Sequence, residues 1–167
     1  MIQQGELYIR PMCHDDLPYM IEWHSDEEVM SYYEGKVFSA EKVCEKYLPR
    51  IEGKHYVHSL IIEYASKPIG YMQYYPIQLQ KATDYQMNQL DRMGGIDQFI
   101  GDKSLWGKGI GTQIIQLLTT HLKSLGYAEI FLEVKATNRR AIRAYEKCGF
   151  IERLRLTDQL IVMNKQL

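Results

Sequence analysis

The segment Trp106-Gly107-Lys108-Gly109-Ile110-Gly111-Thr112 carries the strongest chemical signal in the chain. Three glycines within five residues permit left-handed backbone and leave no Cβ in the way of a ligand. The segment follows a strand-like stretch by a short loop and opens the clearest helical pattern in the sequence. Unpaired N–H groups at such a helix start, at the positive end of its dipole, suit a phosphate or pyrophosphate. It is not a Walker loop, because no Gly-Lys-Ser/Thr closes a four-residue gap after a first glycine. The dinucleotide fingerprint is excluded by the glycine spacing. Taken alone, the segment suits a plain glycine-rich helix start equally well.

A second segment, Asn138-Arg139-Arg140-Ala141-Ile142-Arg143-Ala144-Tyr145-Glu146-Lys147-Cys148-Gly149-Phe150, opens on a good N-cap residue. Ala141, Ala144 and Tyr145 then fall on one helix face. Small residues there admit a flat ligand, and Tyr145 brings a hydroxyl donor. By itself this segment reads better as a surface helix with a core tyrosine.

The elements that must position these residues follow from periodicity. Residues 7–11 form a short strand that Pro11 helps to close. Residues 15–32 read as one helix, with Leu17, Met20, Ile21 and Trp23 at helical spacing and Asp15 or Asp16 as cap. Ser39 suits the N-cap of a helix over residues 40–50. Residues 55–64 and 69–77 form a strand pair turned at Lys67-Pro68, and Gly70 suggests a bulge or a close backbone approach. Residues 78–92 are polar and lack a period; they read as a long loop with room for a helical turn. A strand over 95–101 and a helix over 112–125 follow, with Ile114, Leu118, Leu122 and Leu125 on one face and Gly126 just past the end. A strand over 129–134, a helix over 138–147 and a strand pair over 150–156 and 160–164 complete the chain. The alternation predicts a mixed α/β domain.

With 167 residues, 46% hydrophobic and 25% charged, the chain has the size of one domain, 1–167, and is not a disordered chain. No apolar run reaches the roughly 20 residues that span a bilayer. The N-terminal ten residues alternate polar with apolar and carry Glu6, unlike a signal peptide. Cys13, Cys44 and Cys148 form no Cys-x-x-Cys pair, which fits a reducing cytoplasm and no structural zinc. The net charge of −1 hides two opposed halves: 15 acidic and 9 basic residues in 1–97, against 6 and 11 in 98–167. Residues 15–34 hold seven acidic residues and no Lys or Arg. That run reads as a solvated helix face, or as an acidic wall for a cationic ligand opposite a basic half for an anionic one. The basic excess is too modest, and too little interleaved with aromatics, for a nucleic-acid binder.

Together the glycine loop and the Asn138…Tyr145…Gly149-Phe150 helix resemble the acetyl-coenzyme A site of the GNAT N-acetyltransferase superfamily. Gly109 and Gly111 fit its pyrophosphate loop, while Trp106 stands where the general pattern has Gln or Arg. A narrower resemblance spans nearly the whole chain. Glu22-Trp23, Tyr47-Leu48-Pro49, Pro68-Ile69-Gly70-Tyr71-x-Gln73, Gly95-Ile96-Asp97-Gln98-Phe99-Ile100-Gly101 and Arg140-Ala141-Ile142-Arg143-Ala144-Tyr145 are similar to the aminoglycoside 6′-N-acetyltransferases.

The resemblance implies the GNAT fold: a mixed central β-sheet of about six to seven strands flanked by about four helices, with a splayed strand pair holding acetyl-CoA. It implies direct acetyl transfer to a primary amine, without metal, nucleophilic cysteine or redox cofactor. Asp97 is then the first candidate for base or amine anchor and Glu133 the second. Tyr145 becomes the acid that assists the departing thiolate. Phe99 and Ile100 offer backbone N–H groups to the thioester carbonyl. Trp106, Gly107, Lys108, Gly109, Ile110, Gly111, Thr112, Asn138, Ala141 and Tyr145 are the coenzyme contacts. Trp23, Tyr47, Gln73, Tyr75, Asp97, Glu133 and Asp158 match acceptor contacts. The partner implied is a small cationic amine, an aminoglycoside first, with the protein a cytoplasmic monomer or homodimer. Two alternatives remain: another acceptor, such as a siderophore hydroxylysine, a polyamine or a protein amine, and a non-catalytic acetyl-CoA-binding module.

Overall fold

The computed structural model describes residues 1–87 and 90–167. Along the chain come β1 (Ile2–Gln4), β2 (Leu7–Pro11), α1 (Leu17–Ser25), α2 (Glu27–Ser31), α3 (Ala40–Ile51), β3 (His58–Tyr64), β4 (Lys67–Pro76), α4 (Leu79–Asp84), β5 (Met93–Ile100), α5 (Ile110–Ser124), β6 (Glu129–Lys135), α6 (Arg139–Lys147), β7 (Ile151–Thr157) and β8 (Leu160–Gln166). Short 3₁₀ turns stand at His14–Asp16 and Lys103–Leu105. The strands join one sheet in the order β1-β2-β3-β4-β5-β6-β8-β7. This is the expected α/β class with more elements than expected: eight strands and six α-helices among the described residues. No helix among these residues is long and apolar enough to cross a membrane.

The extra elements have physical reasons. β1 is a three-residue edge strand with only Ile2 half-buried, too short to show a period. The helix expected over 15–32 breaks at Asp26, whose backbone is extended (φ −83°, ψ 112°) and whose carboxylate accepts from the N–H groups of Glu28 and Val29. Asp26 therefore ends α1 and caps α2. Within the segment expected to be a loop, α4 buries only Ala82, so no apolar stripe announced it.

The chain divides into two compact units. The first comprises Met1–Tyr74 and Gln98–Trp106. Its core gathers Met12, Met20, Trp23, Val29, Met30, Val43, Tyr47, Ile61, Tyr71 and Phe99. Leu7 and Ile9 are buried while Tyr8 and Arg10 are half-buried, the period of a strand with one covered face. The β3–β4 turn lies at Ala65-Ser66 (φ +49° and +63°), not at Lys67-Pro68. Two left-handed residues match the twist of a tight hairpin, and Ala-Ser lacks the glycine or asparagine that usually signals one. Lys67 and Pro68 instead pair with Tyr64 and Glu63, and the register shifts between Ile62 and Glu63. That shift sits where proline cannot donate. Gly70 also meets a close backbone: a Cβ there would lie 2.4 Å from the Phe99 carbonyl oxygen.

The second unit comprises Tyr75–Asp97 and Gly107–Leu167. β6 pairs along its whole length with antiparallel β8, which pairs in turn with β7. β5 runs parallel to β6 only at Met93, Gly94 and Gly95, opposite Glu129, Ile130 and Phe131. Among the described residues that pairing ends at Gly95, so Ile96 and Asp97 continue the strand without it, which is the expected splay. α5 buries Ile110, Ile114, Ile115, Leu118 and Leu122. Leu125, expected on the same face, is the C-cap and 51% exposed, and Gly126 follows at φ +91°.

Candidate active site

The glycine loop lies at the start of α5. Gly107 and Gly109 have φ of +77° and +81°, and a Cβ on either would meet nothing within 4 Å. Conformation, not crowding, therefore demands glycine at both positions. Gly109 is the N-cap of a fifteen-residue helix and supplies no side-chain cap. Its carbonyl accepts from the N–H groups of Thr112 and Gln113. The earliest N–H groups of an α-helix have no intrahelical acceptor and lie at its positive end, so this start can take an anion. Lys108 is exposed, Ile110 is buried and anchors the helix start, and Gly111 and Thr112 are half-buried.

In the same unit, Asn138 Oδ1 accepts from the Ala141 N–H at 3.2 Å, the expected cap of α6. Tyr145 is buried and meets Phe150 edge-on, with ring centroids 5.8 Å apart. Cys148 is buried too, and its thiol donates to the Thr112 carbonyl at 3.4 Å, tying the end of α6 to the start of α5. Burial pushes that thiol above its ordinary value, which suits packing and disfavours a nucleophilic thiolate.

A cluster of phenols and carboxylates is built on β4, α4, β5 and β6. The Tyr75 ring covers Gly95 so closely that a Cβ there would lie 2.3 Å from Cε2. Its hydroxyl is hydrogen-bonded to Asp97. Burial first, then the nearby charge of Asp97, drives the Tyr75 phenol far above the usual range. Tyr85 is shifted the same way, by burial and then by its hydrogen bond to Glu133. Its hydroxyl donates to Glu133 Oε1 at 2.7 Å, and Lys81 Nζ donates to the same oxygen at 2.6 Å. Burial raises the Glu133 carboxyl, but the bonds from Lys81 and Tyr85 outweigh it and leave the group below its ordinary value. Both Asp97 and Glu133 act on Tyr75 and on Tyr85, so the four side chains form one electrostatic group. The Tyr85 ring stacks on Phe131 at 5.7 Å, and Arg153 pins the chain after α4 by donating to the Tyr85 and Gln86 carbonyls.

Asp158 stands apart. It is exposed in the turn between β7 and β8, and among the described residues no hydrogen bond or ion pair joins it to this cluster. Its charge is felt by Arg155.

The other expected contacts lie in the first unit and are largely packed. Trp23 lies flat against Gly101, where a Cβ would fall 2.3 Å from Cδ1, and meets Phe99 edge-on at 5.9 Å. The Phe99 ring also packs on Tyr33 at 4.8 Å. Tyr47 departs from its expected role: it is 0% exposed and presents no surface to a ligand. His24 Nδ1 lies 2.8 Å from the Met20 carbonyl and must donate to it. Nε2 is then an acceptor, and the Tyr47 hydroxyl donates to it at 3.1 Å. Burial lowers the His24 pKa to about 4, so the ring is neutral near pH 7. Gln73 Oε1 accepts from Arg50 at 2.6 Å and from Tyr71 at 2.8 Å, so this side chain is also engaged inside the unit. The Trp106 indole N–H donates to the Ile100 carbonyl at 2.8 Å, six residues back along the chain.

The acidic run over 15–34 is partly neutralised within the first unit. Arg10 pairs with Asp16 at 2.7 Å, Lys103 with Asp26 and Glu28, and Lys46 with Glu34. Four of its seven carboxylates are therefore structural partners, which weakens the acidic-wall reading. No pattern in the sequence marks Lys81 and Tyr85 as site residues. Their i, i+4 spacing was available, but it carries meaning only once α4 is known to be a helix.

Known proteins bear on this geometry. Residues 13–157 match the family described as the acetyltransferase (GNAT) domain. The chain belongs to the GNAT acetyltransferase family. The aminoglycoside N(6′)-acetyltransferase type 1 of Klebsiella pneumoniae is 31% identical over 146 residues, covering 85% of this chain and 72% of that protein. A probable spermine N(1)-acetyltransferase of Bacillus subtilis subsp. natto is 26% identical over 145 residues, covering 85% and 86%. The crystal structure of aminoglycoside acetyltransferase AAC(6′)-Ib with coenzyme A and kanamycin superposes with a TM-score of 0.81 at 28% identity, over 96% of this chain and 94% of that one. The family match of this GNAT acetyltransferase draws residues from both compact units.

Proposed function

We propose that this GNAT enzyme transfers acetyl from acetyl-CoA to the 6′-amino group of an aminoglycoside. The observation that carries the reading is the pairing, within one unit, of an uncapped glycine-led helix with a carboxylate–phenol cluster around Asp97. The helix start suits the diphosphate of a coenzyme, and the carboxylates suit a cationic acceptor. The Klebsiella relative and the kanamycin-bound structure favour an aminoglycoside among cationic amines.

In this reading Asp97 anchors the acceptor ammonium and takes its proton, directly or through water, because only the neutral amine attacks. An alkyl ammonium has a pKa of about 10, so this proton must leave before or during attack. Glu133 is held as a carboxylate by Lys81 and Tyr85 and serves as a second anchor rather than the base. The N–H groups at Phe99 and Ile100 stabilise charge developing on the thioester oxygen. Tyr145 donates to the departing thiolate. Trp106, Gly107, Lys108, Gly109, Ile110, Gly111, Thr112, Asn138 and Ala141 hold the coenzyme, and Trp23, Gln73, Tyr75 and Asp158 shape acceptor binding. A cytoplasmic location and action as a monomer or homodimer belong to the same proposal.

A polyamine acceptor is the second reading. It is favoured by the relative named a probable spermine N(1)-acetyltransferase. Free thiol released from acetyl-CoA, followed with kanamycin, spermine and a lysine peptide in parallel, separates the two. Turnover with kanamycin well above the others supports the first reading, and the reverse order supports the second. Coenzyme binding with no turnover of any amine contradicts both.

A further inference from the structure

Glu133 already holds an amine. Lys81 Nζ lies 2.6 Å from its Oε1, 3.1 Å from the Tyr85 hydroxyl and 5.4 Å from the centre of the Tyr85 ring. A carboxylate and a phenol hydroxyl are groups that recognise an alkyl ammonium from outside. The pair is accessible: Lys81 is 35% exposed and Glu133 29%. The receiving groups are fixed, since Tyr85 is buried, stacks on Phe131 and has its backbone held by Arg153. The lysine is on the less anchored side, because α4 is six residues long and buries only Ala82.

We propose that Lys81 is a specificity-determining residue: an internal ammonium on Glu133 that an acceptor must displace before a second cationic group can bind there. The inference rests on the amine-acceptor reading above. An acceptor with one ammonium needs only Asp97 and leaves the Lys81–Glu133 pair in place. An acceptor with two or more competes with Lys81 for Glu133 and binds more weakly than the carboxylates alone would allow. Lys81 thereby narrows the gap between polycationic and monocationic acceptors.

The test is steady-state kinetics of Lys81→Met and Lys81→Arg with kanamycin, spermine and a monoamine. A half-exposed ion pair is weak, so Lys81→Met should lower the KM of the polycations by about two- to fivefold, with kcat following the wild type. The gain should be confined to acceptors with a second ammonium. Lys81→Arg, which retains the charge, should restore the wild-type KM. In a Glu133→Gln background the benefit of removing Lys81 should vanish, whereas a general loss of positive charge would persist. An unchanged or raised polycation KM in Lys81→Met overturns the inference alone, as does an equal gain in the Glu133→Gln background. Absence of turnover with every amine in the wild type overturns it together with the amine-acceptor reading.

Discussion

Tyrosines are buried in both units, and the difference lies in where their hydroxyls go. In the first unit Tyr47 donates to neutral His24, and Tyr71 meets Ser59 and Gln73. Those bonds satisfy polar atoms inside an aromatic core that contains Trp23 and Phe99. In the second unit Tyr75 and Tyr85 spend their hydroxyls on the carboxylates Asp97 and Glu133. The first arrangement spends its hydroxyls on neutral groups of the packed core. The second keeps negative charge half-buried in the unit that also holds the glycine-led helix start, a costly arrangement that folding alone would not favour. Polarity of a residue type therefore says little about function; the charge of its partner says more.

If the second cluster does the chemistry, Asp97→Asn should give the largest change. Its kcat/KM for the amine should fall about a hundredfold, the low end of general acid–base effects, while coenzyme affinity measured by calorimetry stays near that of the wild type. An equal loss of coenzyme affinity would make Asp97 structural, like the groups of the first unit.

The first unit should answer to pH through His24. Its folded-state pKa of about 4 lies below the ordinary 6.5. The unfolded chain binds this proton first, so stability is full above pH 6.5 and is lost as pH falls toward 4. The loss from this group is at most about 3 kcal/mol. Urea titrations between pH 7 and 4 should show it, and His24→Gln should flatten that stretch of the curve. A wild-type curve as flat as the variant's would show that the imidazole is not held neutral.

A smaller effect divides the two kinds of tyrosine. Tyr47→Phe strands His24 Nε2 without its donor and should cost about 1–2 kcal/mol of stability, with the acceptor KM retained. Tyr85→Phe should shift the acceptor KM severalfold for a smaller stability cost, because Lys81 still holds Glu133. Paired melts and kinetics on the two variants check this, and the same response in both would dissolve the distinction.

What the sequence disclosed followed the range of the physics involved. The apolar stripe of α5 predicts a helix over 112–125, within two residues of its bounds, Ile110–Ser124. The glycine loop was legible because a left-handed φ at Gly107 and Gly109 is a local demand. The break at Asp26 was hidden because an aspartate that caps one helix looks like one more member of an acidic run. α4 was hidden by its lack of an apolar face. The pairings that define the candidate site were out of reach for a different reason. Lys81 and Glu133 are 52 residues apart. Charge counting could register these residues but not who neutralises whom, so the acidic N-terminal half looked more available to a ligand than Arg10, Lys46 and Lys103 leave it.

In the proposed function the second unit's carboxylates serve acetyl transfer to one amine of an aminoglycoside. Two aminoglycosides that differ only in bearing an amine or a hydroxyl at the 6′ position test it most directly. Thiol release from acetyl-CoA should be brisk with the amine and absent with the hydroxyl, and the product should carry one added acetyl group at that nitrogen. Equal thiol release from both compounds would contradict it.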